Sequence, residues 1–440
     1  MKFLNRIAYR LRKCPELKKK LKNIYQNIGN LVSDKKTWPT CIEQISSDGE
    51  EHLFGYYDKS PWNKDESKII YLEVNNSSIE TAPKSEASII MKDLASNKEV
   101  KIGVTRAWNV QQGCMLQWLG PDYSSKIIYN DFINNELRSV ILNLKTNEKK
   151  IVDYPVYSVD ANGQYALTLD FYRLHRLRPG YGYSNKIDHS KDSKIPDGYC
   201  IWSIDLKNNL KKGIITYKQL VEIDHLDSMD GAEHKVNHIM INPDGNRFMF
   251  LHRWIKNGVK STRLLTANMD GTEIYNLSDD DMTSHCIWKD STTILGWVKK
   301  NDIGTGYFLM KDRSKNYKII AKDQLDVDGH PSYNMEKKYF ITDTYPDFKR
   351  KQHLYLYDVE NKKVIKIADI YSNIKYNNDC RCDLHPRWNF SGTKICFDGA
   401  QKEKRQVYVI DIEKQIMECE KNGSNFSNCD DRSTKRRKVY

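Results

Sequence analysis

The chain has 440 residues, of which 39% are hydrophobic, and carries a net charge of +12. This length and hydrophobic content are sufficient for a sizeable buried core. The charge is uneven: residues 1–36 contain eleven lysines and arginines against two acidic residues, which leaves only +3 for the other 404 residues. We therefore expect no nucleic-acid partner, because the basic charge lies in one arm rather than along a groove.

Residues 1–36 predict a basic amphipathic helical arm. Its apolar residues recur at helical spacing with lysines between them: Leu17, Leu21, Ile24, Tyr25, Ile28, Leu31 and Val32, with Lys18, Lys19, Lys20 and Lys22. Pro15 stands where a first helical turn tolerates proline. Such an arm can attach peripherally to an anionic membrane surface. The alternative is a solvated helix packed against the body or a partner, and the sequence leaves both open.

The sequence predicts a cytoplasmic protein, with peripheral placement at the inner face of the membrane if the arm binds lipid. The N-terminus is charged throughout and lacks the apolar region of a signal peptide. No apolar run approaches the length that spans a bilayer. Four of the ten cysteines (Cys114, Cys200, Cys286 and Cys396) lie in or beside apolar strand-like runs, where free cysteine behaves as a small hydrophobic residue.

From residue 52 the chain repeats a pattern of strand, tight turn and strand. The clearest copy spans residues 384–398, where a His-Pro-Arg-Trp string precedes a glycine turn and a second apolar strand. Copies with histidine in the same place occur near residues 237–251, 284–288 and 329–333, and three upstream copies align on Trp62, Trp118 and Val159. Seven copies, spaced by about 41 to 56 residues, are typical of a β-propeller. We predict an all-β, seven-bladed β-propeller with an N-terminal basic amphipathic helical arm.

The predicted organisation has four parts. Residues 1–36 form the arm, 37–51 a linker or closing strand, 52–415 the propeller, and 416–440 a polar, disordered tail. The strand that closes the ring comes either from residues 38–50 or from those after 415. Blade three carries a long insertion, residues 173–199, and insertions of this kind often project over one face and carry function. The basic cluster Lys435-Arg436-Arg437-Lys438 in the tail resembles a nuclear-localisation signal, although a solvated tail is favoured.

The repeat resembles known propeller families. The His-Pro-x-Trp-x-x-x-Gly-x-x-Ile-x-Phe frame of residues 385–397, followed by Val-Tyr-Val-x-Asp at 407–411, resembles TolB-type repeats. Histidine on successive blades is similar to the oligogalacturonate lyase family, which implies a divalent metal held by histidines on the channel face. That resemblance covers residues 52–415 as blade repeats, and the lyase's Gln-x-x-His-x-His ligand spacing is not found in this sequence. The string from His52 to Trp62 also resembles propeller proteins found alongside bacterial surface-polysaccharide enzymes, which implies glycans.

Four histidines occupy one register of the repeat, at the start of the innermost strand in blades four to seven: His238, His285, His330 and His385. Innermost strands line the central channel, so these imidazoles should face one another near its mouth. Imidazole is a good ligand for divalent metals such as manganese or zinc. The same ring could instead be a polar catalytic or glycan-binding cluster, or could join neighbouring blades by hydrogen bonds. Cys380, Cys382 and His385 offer a second metal pattern without a second cysteine pair.

Arginine, aromatic and polar residues that the repeat places around the same face are the candidate substrate-binding residues. They are Arg106, Trp108, Gln112, Asp58, Asp170, Arg173, His175, Arg176 and Trp388. Arginine recognises carboxylates and phosphates bidentately, so together these residues predict a pocket for an acidic or nucleotide-linked sugar. Each one alone is also compatible with a structural ion pair or a core position.

An acidic saccharide would allow β-elimination. A metal and an arginine would neutralise the uronate carboxylate, and a neutral histidine or a tyrosine with a depressed pKa would take the neighbouring proton. The candidate catalytic residues are His252, Tyr57, Arg253 and Arg387. Hydrolysis would need two carboxylates at a suitable separation, and Asp58, Asp131, Asp170, Asp343 and Asp398 form no clear pair in the sequence.

These features favour a glycan-active propeller protein, with a metal-assisted, lyase-like enzyme of surface-polysaccharide metabolism as the leading hypothesis. Its ligand would be an acidic saccharide or an activated-sugar precursor. The alternative is a non-catalytic glycan-binding or assembly platform at the cytoplasmic membrane surface. Metal content should discriminate between these hypotheses.

Overall fold

The computed structural model describes residues 15–33, 41–79 and 85–421. Its strands form seven four-stranded antiparallel sheets, which are the blades of a seven-bladed β-propeller, as the repeat predicts. The first fourteen residues of the predicted arm, residues 34–40, and most of the predicted tail lie outside the described residues.

The strands of the first four blades follow the repeat in chain order. Blade one has β2 (Glu51–Leu53), β3 (Lys68–Val74), β4 (Ala87–Asp93) and β5 (Glu99–Thr105), and blade two has β6 (Gln117–Trp118), β7 (Lys126–Ile133), β8 (Glu136–Asn143) and β9 (Lys149–Val152). Blade three has β10 (Ser158–Val159), β11 (Tyr165–Leu169), β12 (Tyr199–Asp205) and β13 (Leu210–Thr216). Blade four has β14 (Glu233–Ile241), β15 (Arg247–Lys256), β16 (Val259–Asn268) and β17 (Tyr275–Ser278).

The remaining blades follow the same plan. Blade five has β18 (Thr283–Trp288), β19 (Thr293–Lys300), β20 (Gly304–Lys311) and β21 (Tyr317–Ile320), and blade six has β22 (Ser332–Tyr333), β23 (Tyr339–Thr342), β24 (Lys351–Asp358) and β25 (Lys363–Tyr371). Blade seven has β26 (Arg387–Trp388), β27 (Lys394–Gly399) and β28 (Gln406–Asp411), with β1 (Ile42–Gln44) as its outer strand. The α-helices are α1 (Pro15–Leu31), α2 (Phe171–Leu177), α3 (Tyr217–Glu222) and α4 (Ile412–Lys421), and short 3₁₀ helices span Asp227–Met229 and Asn378–Cys380.

The ring is closed by the strand that precedes blade one. β1 pairs antiparallel with β28, which places Ile42 opposite Ile410 and Gln44 opposite Tyr408. Of the two closing segments that the sequence left open, the structure uses the one within residues 38–50. Ile412–Lys421 form α4 instead.

Apolar side chains join each blade to the next. The central strands are buried on both faces, as in β3, because a blade packs against a neighbour on each side. One apolar cluster links blade seven to blade one and contains Ile69 and Tyr71 of β3 with Cys396 and Val407. Burial of apolar area of this kind is the main favourable term in folding, and here it completes the ring.

The turns of the repeat are fixed by short polar side chains. The Asn389 carboxamide oxygen accepts hydrogen bonds from the backbone N–H groups of Thr393 and Lys394. Asn242 accepts in the same way from Asn246 and Arg247 in blade four. Side chains of this type mimic a backbone turn, which explains why the turn position of the repeat is readable in the sequence.

The insertion in blade three leaves the sheet after β11 and begins with α2. The Asp170 carboxylate caps α2 by accepting from the backbone N–H groups of Tyr172 and Arg173. Downstream, Arg173 is fully buried and donates to the carbonyl oxygens of His234, Ser190 and Lys194. The insertion is therefore fastened to blade four by a buried guanidinium. None of the helices in the described part of the chain is long and apolar enough to cross a membrane.

Candidate metal and anion site

The four histidines of the shared register converge around one tyrosine ring in the channel. The Tyr57 ring centroid lies 5.3 Å from that of His330 and 6.3 Å from that of His385. The centroids of His285 and His330 are 4.0 Å apart, and those of His330 and His385 are 4.3 Å apart. His385 adopts a φ of +47°, a left-handed conformation that is uncommon outside glycine and concentrates at functional sites.

Three of these imidazoles are held through Nδ1 by an oxygen acceptor. His330 Nδ1 lies 2.8 Å from Asp343 Oδ1, His285 Nδ1 lies 3.1 Å from Asp328 Oδ1, and His385 Nδ1 lies 2.9 Å from the Gly55 carbonyl oxygen. A carbonyl can only accept, so His385 carries its proton on Nδ1. This arrangement fixes the tautomer and directs Nε2 toward a ligand, as outer-shell groups do for metal-binding histidines.

The Nε2 atoms of His330 and His385 are buried and have no hydrogen-bond partner within the described residues. Asp383 lies beside them, and its carboxylate also contacts Arg381 at 2.7 Å. His330, Asp383 and His385 each offer a ligand atom, all within 4.8 Å of one another. Buried polar atoms are normally paired, so these unpartnered atoms fit a divalent metal.

Electrostatics divides these histidines. Burial opposes a charge on His330, but the adjacent Asp343 carboxylate outweighs it and raises the pKa of His330. Burial, reinforced by His330 and Arg387, holds the pKa of His385 well below its usual value. Burial and His330 also lower the pKa of His285. His285 and His385 are therefore neutral at pH 7, which is the form that binds a metal.

His238 differs from the sequence prediction that it is a metal ligand. Its Nε2 lies 2.8 Å from the Cys286 carbonyl oxygen and 3.1 Å from the Tyr57 hydroxyl. Its Nδ1 lies 3.4 Å from the Tyr56 hydroxyl. Both nitrogens face protein groups, so His238 joins blades four and five. Asp383, and not His238, lies with His330 and His385 in the group whose ligand atoms are close together.

Tyr57 also differs from what a catalytic base would require. Its hydroxyl donates to the Cys286 carbonyl oxygen at 2.8 Å. Burial, with Tyr56 nearby, raises the pKa of Tyr57 well above its usual value, whereas the sequence hypothesis needed a depressed one. Tyr57 is a protonated phenol that fills the channel between the histidines.

The candidate base His252 lies in a separate, closed hydrogen-bond chain. Arg263 Nε donates to His252 Nδ1 at 3.2 Å, which forces the His252 proton onto Nε2. That nitrogen is 2.9 Å from His234 Nδ1, and His234 Nε2 in turn faces the Met229 carbonyl oxygen at 3.3 Å. Neither nitrogen of His252 is available to take a proton, so we do not place it in the candidate site.

A group of cationic side chains borders the histidine cluster. Arg253 forms no side-chain hydrogen bond or ion pair with the described residues, and its Nε is buried without a partner. Lys235 is 1% exposed and donates to the Leu177 carbonyl oxygen at 3.0 Å. Burial lowers the pKa of Lys235 well below its usual value, and the positive charges of Lys260 and Arg253 lower it further. Arg253 is half-buried and its Nε has no acceptor within the described residues, and a guanidinium in this state favours an anionic ligand.

Aromatic rings connect the cationic group to the histidines. The Tyr56 ring lies 5.1 Å from His385 and 6.2 Å from Tyr181 of the insertion. Tyr345 lies 6.0 Å from His330, and the Arg381 guanidinium carbon is 5.4 Å from the centre of the Tyr345 ring. Tyr56 and Tyr181 are each 5% exposed, whereas Tyr345 is 37% exposed, so Tyr345 is the ring of this group that presents a face at the surface.

The tip of the blade-three insertion covers this group. Gly180 has a φ of +89°, and a Cβ there would lie 2.6 Å from the Asp379 carbonyl oxygen. Arg381 Nη2 donates to the Tyr181 hydroxyl at 3.4 Å, and Arg178 lies 3.9 Å from the Asp379 carboxylate. The insertion therefore reaches from blade three to the loop before blade seven, and only glycine fits at the contact.

Arg387 acts on the position of His385 rather than on a ligand. Its side chain is 1% exposed, donates to the carbonyl oxygens of Gly55 and Tyr56, and forms an ion pair with Asp398 at 3.0 Å. The Gly55 carbonyl oxygen also accepts from His385 Nδ1. Arg387 thus fixes the loop that orients the His385 ring.

The predicted aromatic and amide residues are hydrogen-bonded to the fold. Trp388 Nε1 donates to the Ser332 carbonyl oxygen of blade six at 2.9 Å, and Trp108 Nε1 donates to that of Ser85 at 2.9 Å. The Gln112 carboxamide donates to the Tyr157 hydroxyl at 2.7 Å. Trp118 and Trp288 join blades in the same way as Trp388. The repeated tryptophan therefore links each of these blades to the preceding one by an indole hydrogen bond.

The predicted polar residues of blades one to three serve mainly the insertion and the surface. Arg176 pairs with Asp188 at 2.7 Å, and His175 Nδ1 faces the Tyr181 carbonyl oxygen at 3.2 Å. Asp58 pairs with Lys59 at 2.7 Å. Arg106 is exposed, 3.8 Å from Glu86. Asp170 and Arg173 have the capping and anchoring contacts given above.

The residues that sequence reasoning missed are mostly carboxylates and tyrosines. Asp383 stands two residues before His385, inside the cysteine pattern, and was not named from the sequence, whereas Asp343, which follows β23 directly, was named only as one of five carboxylates without a clear pair. In that pattern Cys382 is buried and burial raises the pKa of its thiol to about 12, while Cys380 donates to the Ile79 carbonyl oxygen at 2.6 Å. The useful signal in the string was the aspartate between the cysteines and the histidine.

Comparison with solved structures agrees with this architecture. The chain is similar to an oligogalacturonate lyase from Vibrio parahaemolyticus, with a TM-score of 0.59 and 11% identity over 84% of this chain and 93% of that one. It is similar to an oligogalacturonate lyase in complex with manganese, with a TM-score of 0.60 and 14% identity over 84% and 92% of the two chains. TolB from Acinetobacter baumannii gives a TM-score of 0.40 and 13% identity over 69% and 64%.

No protein-family model and no curated protein sequence matches the chain. At these identities the structural likeness establishes the fold. The resemblance to the propeller of oligogalacturonate lyase, read from the blade repeat, is confirmed at the level of the fold.

Proposed function

We propose that this protein is a metal-assisted lyase acting on an acidic saccharide, with the metal bound by His330, His385 and Asp383 and with His285 adjacent. The observation that carries the proposal is a pair of buried, unpartnered Nε2 atoms in the group formed by His330, Asp383 and His385. A divalent metal and an arginine together suit a carboxylate-bearing ligand. The complex of a similar propeller with manganese supports manganese as the first metal to test.

In this proposal Arg253 binds the uronate carboxylate, and the sugar ring lies against Tyr345, whose side chain is 37% exposed and 6.0 Å from His330. A bound metal would withdraw charge from the same carboxylate, which acidifies the adjacent C–H. Lys235 has the property that proton abstraction needs, because its lowered pKa favours the neutral amine.

The elimination balances without a further reactant. The proton moves to Lys235 Nζ, the C–H electron pair forms a carbon–carbon double bond, and the bond from the neighbouring carbon to the glycosidic oxygen breaks. The leaving oxygen takes a proton from water, and the Lys235 ammonium returns its proton to water, so no proton is gained or lost overall. We place the reaction in cytoplasmic surface-polysaccharide metabolism because of the string from His52 to Trp62, with an activated acidic sugar as the alternative ligand.

The test joins metal content to product formation. Purified protein and the variants His330→Ala and His385→Ala are analysed for bound metal, then incubated with manganese and oligogalacturonate while the ultraviolet absorbance of an unsaturated product is followed. We expect stoichiometric metal and product for the wild type and neither for the two variants. The control His225→Ala replaces an exposed histidine outside the proposed metal site and should match the wild type.

A wild-type protein that binds no divalent metal would overturn the proposal. Metal and uronate binding with no product from any uronate tested would favour the alternative, a non-catalytic glycan-binding platform. A neutral glucan oligosaccharide serves as the ligand control, since it lacks the carboxylate that Arg253 is proposed to bind.

A further inference from the structure

The helix α1 has two opposite faces, and it packs on the propeller with the polar one. Gln26 and Gly29 are buried, while Asn30 and Ser33 are half-buried. The apolar side chains Leu17, Leu21, Ile24 and Ile28 lie about 180° around the helix from Gln26, given 3.6 residues per turn. They are exposed, with Ile24 at 56% and Ile28 at 54%.

The polar face is held by specific contacts with blade six. Gln26 Oε1 accepts from Arg350 Nη1 at 3.1 Å, and Asn30 Oδ1 accepts from the Tyr371 hydroxyl at 2.5 Å. A Cβ at Gly29 would lie 1.7 Å from the Phe348 carbonyl oxygen, so the helix backbone approaches closely. The orientation is therefore determined by hydrogen bonds and close packing, not by burial of the apolar stripe.

This is the reverse of an ordinary surface helix, which turns its apolar stripe toward the core. At the end of α1, Leu31 is 85% exposed and Val32 is 61% exposed, which extends the stripe. Large contiguous apolar patches on a protein surface mark interaction sites. The stripe therefore needs an occupant other than the propeller.

The charge around the stripe indicates the chemistry of that occupant. Residues 1–36 carry a net charge of +9, three quarters of the excess positive charge of the chain. Lys20 of α1 is exposed beside the stripe. An apolar stripe in a strongly basic segment matches a bilayer surface with anionic headgroups, where the stripe enters the acyl boundary and the basic side chains stay at the headgroups.

We propose that α1 is a membrane-docking helix, fixed to blade six by its polar face so that Leu17, Leu21, Ile24, Ile28 and Leu31 enter an anionic lipid surface. The connection between β23 and β24 carries both Tyr345, in the candidate site, and Phe348 and Arg350, beneath α1. Docking therefore holds the site end of the propeller near the membrane. The inference does not rest on the proposed reaction.

The experiment is flotation of the full-length protein with vesicles. Vesicles of phosphatidylglycerol and phosphatidylcholine are compared with vesicles of phosphatidylcholine alone. We expect the wild type to float with the anionic vesicles at low salt, and the double variant Ile24→Glu/Ile28→Glu to lose more than about tenfold in bound fraction. The matched control Val100→Glu/Ile151→Glu, at two exposed apolar positions on blades one and two, should float like the wild type.

Thermal unfolding and light scattering separate the outcomes. Because Ile24 and Ile28 are both more than half exposed, the double variant should melt like the wild type. A wild type that does not float with anionic vesicles, or a double variant that floats equally well, would overturn the proposal. A wild-type dimer that the double variant converts to a monomer would also overturn it, because the stripe would then be an interface between two copies of the chain.

Discussion

Two groups of buried histidines lie within one propeller and have opposite hydrogen-bond status. In the blade-four group, Arg263, His252 and His234 form a chain that ends on the Met229 carbonyl oxygen and satisfies every ring nitrogen. In the channel group, His330 and His385 each use only Nδ1 and leave Nε2 buried and unpartnered. Residue type and burial are the same in both groups, so neither property identifies the site.

The difference lies in the acceptors around each ring. His330 and His385 face a carboxylate or carbonyl oxygen through Nδ1 only, which leaves Nε2 free to bind a ligand. The blade-four histidines face a donor on one side and an acceptor on the other. A buried histidine group can bind a metal only where the protein leaves a nitrogen without a donor or acceptor.

Two arginines of blade four give the largest expected contrast. Arg263 donates to the carbonyl oxygens of Leu220, Ile223 and Asp224 and to His252. We expect Arg263→Leu to lose about 3–5 kcal/mol of unfolding free energy, because it leaves these groups unpaired. Arg253→Leu should change stability by less than about 1 kcal/mol, since Arg253 has no such partners. Urea unfolding measures both, and equal losses would contradict the comparison.

Acid should destabilise the fold partly through the blade-four group. Burial lowers the pKa of His234 to about 4 in the folded protein, whereas a histidine in the unfolded chain has a pKa of about 6.5. The unfolded state therefore binds the proton first, so the stabilising contribution is complete above about pH 6.5 and is lost toward about pH 4, at about 1.4 kcal/mol per pH unit. Urea unfolding across this range should show a smaller pH slope for His234→Gln than for the wild type. An unchanged slope would mean that His234 titrates normally in the fold.

The carboxylate behind His330 should matter to metal binding more than to the fold. Asp343 accepts from His330 Nδ1 and from the backbone N–H groups of His330 and His385. Asp343→Asn should weaken metal affinity by about 10- to 100-fold, the usual cost of losing such a partner. Calorimetric titration with manganese measures the affinity, and Asp312→Asn, in blade five, is the control. Undiminished affinity would remove His330 from the ligand set.

Tyr57 should show the smallest effect. Its hydroxyl donates to the Cys286 carbonyl oxygen, so Tyr57→Phe should cost about 1 kcal/mol of stability while manganese affinity stays unchanged. Product formation separates this expectation from the sequence hypothesis, in which Tyr57 is the base: a loss of turnover at normal metal affinity would restore it to the catalytic group.

The sequence by itself determined the architecture, because every blade repeats the same local chemistry. The short polar side chains of the turns and the apolar second strand depend only on neighbours within a few residues, so the copies align without any knowledge of the ring. The common histidine register and the amphipathic arm are periodic in the same way.

The tertiary structure decided which of those residues are available to a ligand. His238 and His385 occupy one register, yet His238 meets the Cys286 carbonyl oxygen and His385 keeps a free Nε2. Asp343, Tyr181 and Arg253 reach the site from three different blades, at separations that no repeat pattern encodes. The orientation of α1 was likewise decided by Arg350 and Tyr371, more than 300 residues away. Hydrogen-bond satisfaction depends on groups that are distant in the sequence, and that is why local pattern could find the histidines but not assign their roles.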